Sequence, residues 1–238
     1  MQCDPSGRKY MLRLSCTDDG FVCEALMRTT LNIDDEVMKF VMEETKASTK
    51  TEAVRKALDD YVRRRKIERL IALKGKVRFD VDWKTLRKGW TGSSKCIGRL
   101  WENAGRETTV VLVDTSVWIE YLDRVNPLVE GEMDQLLRAG EATTAGLVLG
   151  ELRQGCRSER QVTTVLNAME PLIYLEADRN AWLRAGELAA AGAARGYKLD
   201  VGDCLLAALA LREDCLTFTL DRDFERIPGL KLHRPRVN

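Results

Sequence analysis

Acidic residues in the second half of this chain stand where apolar runs end or helices begin. Asp114 closes VVLV, Glu151 sits in GLVLGELRQG, Asp203 comes early in GDCLLAALA, and Asp221 and Asp223 follow LTFTL. If the fold gathers them, their charges conflict. Two carboxylates about 4 Å apart repel by roughly 4 kcal/mol at an effective dielectric near 20, so three or four together need protonation or a cation. An oxygen-only donor set favours Mg2+ or Mn2+ over zinc. Such an ion acidifies bound water and stabilises charge on a phosphoryl oxygen, as in-line phosphodiester hydrolysis requires. Rival chemistries lack residues. There is one histidine, His233, in the polar tail, and seven scattered cysteines form no CxxC pair. Cys156, Cys204 and Cys215 read as small, reduced core residues.

The elements that must position these acids alternate between apolar strands and helices, which predicts an α/β domain with a mostly parallel sheet over residues 110 to 238. In that class loops meet at the carboxyl edge of the sheet, where ligands bind, and the acids fall at element ends. Thr115, Ser116 and Thr219 are placed to hold a carboxylate or a water by hydrogen bonding. Each acid also has a simpler reading: Asp114 as a helix cap, Glu151 as a solvated helix position, Asp203 as a dipole partner beside a capping Asp200, and Asp221 and Asp223 as turn formers.

At 238 residues, with 45% hydrophobic and 32% charged residues, the chain has ordinary globular composition and room for one large domain or two smaller ones. No run reaches the roughly 18 to 20 apolar residues of a membrane span, and the first residues lack the apolar core of a secretory signal, so a cytoplasmic location is expected. The near-neutral net charge hides an asymmetry. Residues 27–90 carry 17 Lys and Arg against 11 Asp and Glu, whereas residues 110–238 carry 15 against 20. A basic module facing nucleic acid, the acidic half of its own chain, or both in turn fits that division.

Residues 1–26 show breakers at Pro5, Gly7 and Gly20 and are expected to form a weakly ordered extension. From Met27 onward, Thr29, Leu31 and Ile33 alternate with Arg28, Thr30 and Asn32, predicting a short strand. Asp34 and Asp35 suit a first helix start, and Thr49 with Glu52 forms a T-x-x-E capping box for a second helix. One strand and two short helices bury too little surface alone, so this unit is expected to dimerise. Beyond it, GKVRFDVDWKTLRKGW sets Val77, Phe79, Val81, Trp83, Leu86 and Trp90 among cations, the composition of a docking arm. Residues 91–109 read as a linker.

In this order and spacing, residues 27–72 resemble the ribbon-helix-helix fold of VapB-type antitoxins. The resemblance implies a strand from each of two chains entering the DNA major groove, with Arg28, Thr30 and Asn32 reading bases and the helix start near Thr49 and Lys50 holding phosphate. Residues 73–90 then correspond to the arm that docks on the toxin: Arg78 and Arg87 are candidates to enter its acidic pocket, and Trp83 is an anchor. The motifs V-D-T-S-V-W-I, E-L-R-Q-G, G-D-C-L-L-A-A-L-A and T-L-D-R-D-F are together similar to the PIN domain of VapC ribonuclease toxins, over nearly all of residues 110–238. That resemblance implies Asp114, Glu151, Asp203 and Asp221 as catalytic acids, and Asp114, Asp203, Asp221 and Asp223 as ligands of Mg2+ or Mn2+, with Asp221 ranked ahead of Asp223. The whole then reads as a metal-dependent endoribonuclease fused to, and inhibited by, its antitoxin, whose arm docks in cis or in trans. RNA, operator DNA and further copies of the chain are the expected partners. The rival reading is a DNA-binding repressor whose second half serves only for dimerisation and docking.

Overall fold

The computed structural model describes residues 10–17, 20–27, 31–80, 110–124 and 126–234. The chain divides into two compact units, Met1–Asp59 and Asp60–Asn238. Among the described residues, no helix is long and apolar enough to cross a membrane.

In the first unit, β1 (Tyr10–Thr17) and β2 (Gly20–Met27) pair antiparallel, with Tyr10 opposite Met27 and Thr17 opposite Gly20. This corrects the expectation of a weakly ordered extension. The stretch YMLRLSCT carries an alternation at Tyr10, Leu12, Leu14 and Cys16 that the flanking breakers obscured. The strand predicted around residues 29–33 is not formed where it can be seen: residues 31–34 lie in no strand, and Leu31 is 56% exposed. A strand is defined by a hydrogen-bonded neighbour, and the sequence argument required that neighbour to come from another chain. Helix α1 (Asp35–Thr45) starts at Asp34, whose side chain accepts from the Glu36 N–H at 2.8 Å. Helix α2 (Lys50–Ile71) starts at the predicted capping box. Thr49 Oγ1 accepts from the Glu52 N–H at 3.2 Å, and the Glu52 carboxylate accepts from the Ser48 N–H at 3.1 Å.

The second unit is built on a four-stranded, wholly parallel sheet in the order β5-β4-β3-β6. Its strands are β3 (Val111–Val113), β4 (Ala142–Ala145), β5 (Ile173–Leu175) and β6 (Leu216–Phe218). Parallel neighbours require crossovers, and helices supply them. Between β3 and β4 come α3 (Thr115–Ile119), a π-helical turn (Glu120–Arg124) and α4 (Pro127–Ala139). Between β4 and β5 lie α5 (Gly146–Gly155) and α6 (Glu159–Met169); between β5 and β6 lie α7 (Arg179–Ala194) and α8 (Val201–Arg212). Every residue of α8 from Asp203 to Ala210 is buried, as a helix apolar on all sides must be. Trp118, Tyr121, Leu152, Leu205 and Phe218 are among the largest fully buried side chains of this core.

The boundary between the units falls inside α2, earlier than the expected end of the antitoxin-like segment at residue 72. Ile67, Leu70, Val77 and Phe79 belong to the same buried cluster as the sheet residues, so the last turns of α2 and the chain to residue 80 are part of the second unit. Val77 and Phe79 are expected as arm residues, but Ile67 and Leu70 fall in the expected antitoxin-like segment, because periodicity reports which face is apolar, not what covers it.

Candidate active site

Topology brings three of the acids to one edge. Strands β3 and β6 are adjacent and parallel, so the residues that follow them, Asp114 and Thr219 to Asp221, emerge side by side; α5, which carries Glu151, leaves β4 on the other flank of β3. Asp203 stands in the first turn of α8, behind the capping Asp200 whose side chain accepts from the Gly202 N–H. Asp114, Glu151 and Asp203 are 0%, 2% and 4% exposed, which sets aside the reading of Glu151 as a solvated helix position.

The hydroxyls join the acids into a network. Asp114 Oδ1 accepts from the Thr115 N–H at 2.8 Å, while its Oδ2 accepts from Ser116 Oγ at 2.6 Å and Thr219 Oγ1 at 2.8 Å. The Thr115 hydroxyl donates in turn to Glu151, which ties α5 to α3. Ser116 Oγ accepts from the Leu220 N–H at 3.1 Å, and Thr219 Oγ1 accepts from the Asp221 N–H at 3.0 Å, so the loop after β6 is strapped to the start of α3. The bonds expected of Thr115, Ser116 and Thr219 are all present. Asp114 is therefore both the helix cap of its simpler reading and a positioned site carboxylate.

The two acids of the last motif differ in engagement. Asp221 accepts from the Asp223 N–H at 2.9 Å and caps the 3-10 turn Arg222–Arg226, whereas Asp223 pairs with Arg226 at 2.9 Å. Among the described residues, no group of three acids, cysteines or histidines is gathered closely enough as it stands to hold a metal ion. The donor set still suits one by type, because Asp114, Glu151 and Asp203 offer hard oxygen ligands in a buried setting. Nearby thiols do not compete: burial pushes Cys204 and Cys215 up to about 11, so they stay protonated at neutral pH.

The arm segment lies on this unit through backbone and charge together. The Val77 N–H donates to Leu122 O at 3.3 Å, the Asp80 N–H to Gly155 O at 3.0 Å, and Phe79 bridges Cys156 antiparallel. Arg78 does not enter the acid cluster. Its Nη1 faces Asp123 at 3.4 Å, and the other oxygen of Asp123 accepts from the Phe79 N–H at 3.1 Å. The correction has a geometric reason: with Val77 and Phe79 buried, the intervening residue of an extended segment points away from the surface they cover. Among the described residues, a cation that anchors the segment and that the sequence does not single out is Lys74. It bonds Glu130 at 2.6 Å and Asp134 at 3.2 Å, and the hydrogen bond to Glu130 first of all holds its pKa above the ordinary lysine range. Tyr121 donates to Asp134 at 2.6 Å and stands under the Lys74 ammonium, 6.0 Å from ring centroid to nitrogen. A lysine just before the alternating Val77 and Phe79 was the available signal. Of the other named residues, Asn32 is exposed, Lys50 pairs loosely with Asp35 at 3.6 Å, and Arg28, Thr30, Trp83 and Arg87 lie outside the described residues.

Comparison with known proteins fits this architecture. Residues 111–230 match the PIN domain family. The chain belongs to that family. Residues 27–73 match the VapB bacterial antitoxin of type II toxin-antitoxin systems, so a VapB-like segment and a VapC-like PIN domain share one polypeptide. The PIN half is 30% identical over 122 residues to a VapC ribonuclease of Mycobacterium bovis, spanning 50% of this chain and 91% of that protein. The same figures hold for the ribonuclease VapC11 of Mycobacterium tuberculosis. Among solved structures, it is similar to DNA-bound VapBC from Salmonella typhimurium, with 23% identity and a TM-score of 0.47 over 52% of this chain and 96% of that one.

Proposed function

We propose that the PIN domain is a divalent-metal-dependent endoribonuclease, that Asp114, Glu151, Asp203 and Asp221 are its working acids, and that the fused VapB-like arm restrains it. The hydroxyl network carries this reading. Three donors fix Asp114, and through Thr115 and Thr219 the same network reaches Glu151 and the loop that bears Asp221. Fixing carboxylates in advance means that little reorganisation remains when a charged substrate arrives. A divalent cation, Mg2+ or Mn2+, would supply charge against the phosphoryl oxygens and acidify the attacking water. Asp223 is the weaker candidate ligand because Arg226 already engages it.

Restraint by the arm is supported by its docking on the same unit through Lys74, Val77 and Phe79. The N-terminal module acts as a dimeric operator-binding element: the exposed Leu31, Val37 and Phe40 want a second copy, and a paired strand would present Arg28, Thr30 and Asn32 to the groove while Thr49 and Lys50 hold phosphate.

The nuclease reading is tested with the full chain carrying Phe79→Ala to loosen the arm. RNA cleavage in Mg2+ or Mn2+ is expected, stopped by EDTA and by Asp114→Asn or Asp203→Asn. RNA left intact under every divalent ion would end the nuclease reading. For the DNA reading, Arg28→Ala should weaken operator binding; unchanged retention would remove the assignment of the reading face.

A further inference from the structure

Beside the acid network lies a cavity of about 290 Å3. Thr219, whose hydroxyl holds Asp114, and Asp221 are among its lining residues. Phe218, Leu220, Arg222, Glu225, His233 and Arg234 line it too. The strand-like end of the chain fixes their placement: the Thr217 N–H donates to Lys231 O at 2.9 Å, and the His233 N–H donates to Thr217 O at 2.8 Å. The imidazole is held twice, by Glu132 at 2.7 Å from Nε2 and by the Phe218 ring at 5.2 Å between centroids. Arg234 meets Glu225 at 2.7 Å, which offsets that acid at the rim. Among the described residues, no carboxylate pairs with Arg222 within salt-bridge distance, although it stands next to Asp221.

We propose that this cavity is a subsite for one nucleotide of an RNA strand whose neighbouring phosphate lies at the acids. Arg222 and Arg234 hold the sugar-phosphate backbone, and the His233 ring packs against the base. The inference rests on the ribonuclease reading of the adjoining acids and names how that site grips its substrate. Size supports it: about 290 Å3 lies near the low end of the roughly 300 to 1,000 Å3 of ligand sites, the scale of a single nucleotide unit. Chemistry supports it as well. Guanidinium groups match phosphate in two-pronged fashion and lie flat on bases, and a fixed ring beside them is the combination used for unstacked RNA. A polyanion approaching Asp221 and Glu225 would be repelled without those two arginines.

His233 is the chain's one histidine, so its Hε1 proton gives one histidine Hε1 resonance in a proton NMR spectrum of the full-length protein. The full chain carrying Phe79→Ala and Asp114→Asn is titrated at fixed pH with a single-stranded tetraribonucleotide and, separately, with inorganic phosphate. A saturating shift of the His233 line with the tetranucleotide, about tenfold weaker for each of Arg222→Ala and Arg234→Ala and absent with phosphate alone, is the expected result. Both arginines are exposed, and unchanged circular dichroism establishes that the variants fold. In the arm-loosened active chain the two variants should raise KM for RNA and leave kcat within about twofold. An unmoved His233 line in a protein that cleaves RNA overturns the subsite and leaves the nuclease reading standing. A moving line in a protein that never cleaves does the reverse, and an equal shift with phosphate alone overturns the nucleotide assignment.

Discussion

The two halves of α2 live in different surroundings. In the first unit, α1 leaves Val37 and Phe40 on its surface, and the segment before it leaves Leu31 there; among the described residues of that unit, Met38 and Ala53 are the buried apolar ones. In the second unit, Ile67 and Leu70 vanish into a core that a parallel sheet and its helices have already closed. The contrast is that the second unit closes a core of its own, whereas the described residues of the first leave large apolar side chains exposed. The later part of the antitoxin-like segment is structure of that core: Ile67, Leu70, Val77 and Phe79 are buried in the same cluster as the sheet residues.

The comparison breaks first on large side chains. Trp118→Ala should destabilise the PIN domain by about 3–5 kcal/mol, read by denaturant unfolding, because a fully buried ring leaves a cavity. Phe40→Ala, which removes a ring that is 63% exposed, should change unfolding of the chain at low concentration by less than about 0.5 kcal/mol while raising the dimer dissociation constant in sedimentation. Equal losses in the two variants would erase the distinction between the units.

Finer changes sharpen it. Thr219→Val takes a donor from Asp114 and an acceptor from the Asp221 N–H, so a loss of about 1–3 kcal/mol is expected, together with reduced RNA cleavage in the arm-loosened chain. Lys74→Met leaves Glu130 and Asp134 without their shared cation and should cost about 1–2 kcal/mol, faster hydrogen exchange at the amides of Val77 and Asp80, and more RNA cleavage. Protection unchanged at those amides would show that the apolar contacts alone seat the arm.

The smallest effect belongs to the first unit. Hydrogen bonds from Lys56, and then from Ser48, lower the Glu52 pKa from its ordinary 4.5 to about 2. A lowered folded-state value means that the carboxylate stabilises the fold above about pH 4.5 and that this contribution is lost as pH falls through about 2. The gap in thermal melting between the parent and Glu52→Gln should therefore be present at pH 7 and close across that window. A gap that persists below pH 2 would mean that the side chain acts by shape and not by charge.

Much of the site was legible because acids at the ends of apolar runs have few structural uses that recur four times in order. Asp114, Glu151 and Asp203 proved buried, and the hydroxyls beside them proved bonded. The hairpin at Tyr10–Thr17 and Gly20–Met27 is hidden in the sequence by the breakers that flank a short alternation. The placements of Arg78 and Lys74 are not legible there for one reason. Charge and neighbourhood in sequence locate an arm, but which acid each of its cations meets depends on which face of the segment is pressed down, and Val77 and Phe79 settle that only once their own burial is known.

Periodicity, capping residues and the order of the acids are local properties, written in side-chain spacing, and they determined most of the elements, the class of the sheet and the acids at its edge. Which strands lie side by side, and hence that Thr219 reaches Asp114 across 105 residues of chain, is a long-range property. Only tertiary structure decided it, along with the end of the first unit inside α2 and the cavity that joins His233 to Asp221. Packing selects among the pairings that local spacing allows, and it does so by burying surfaces contributed from distant parts of the chain.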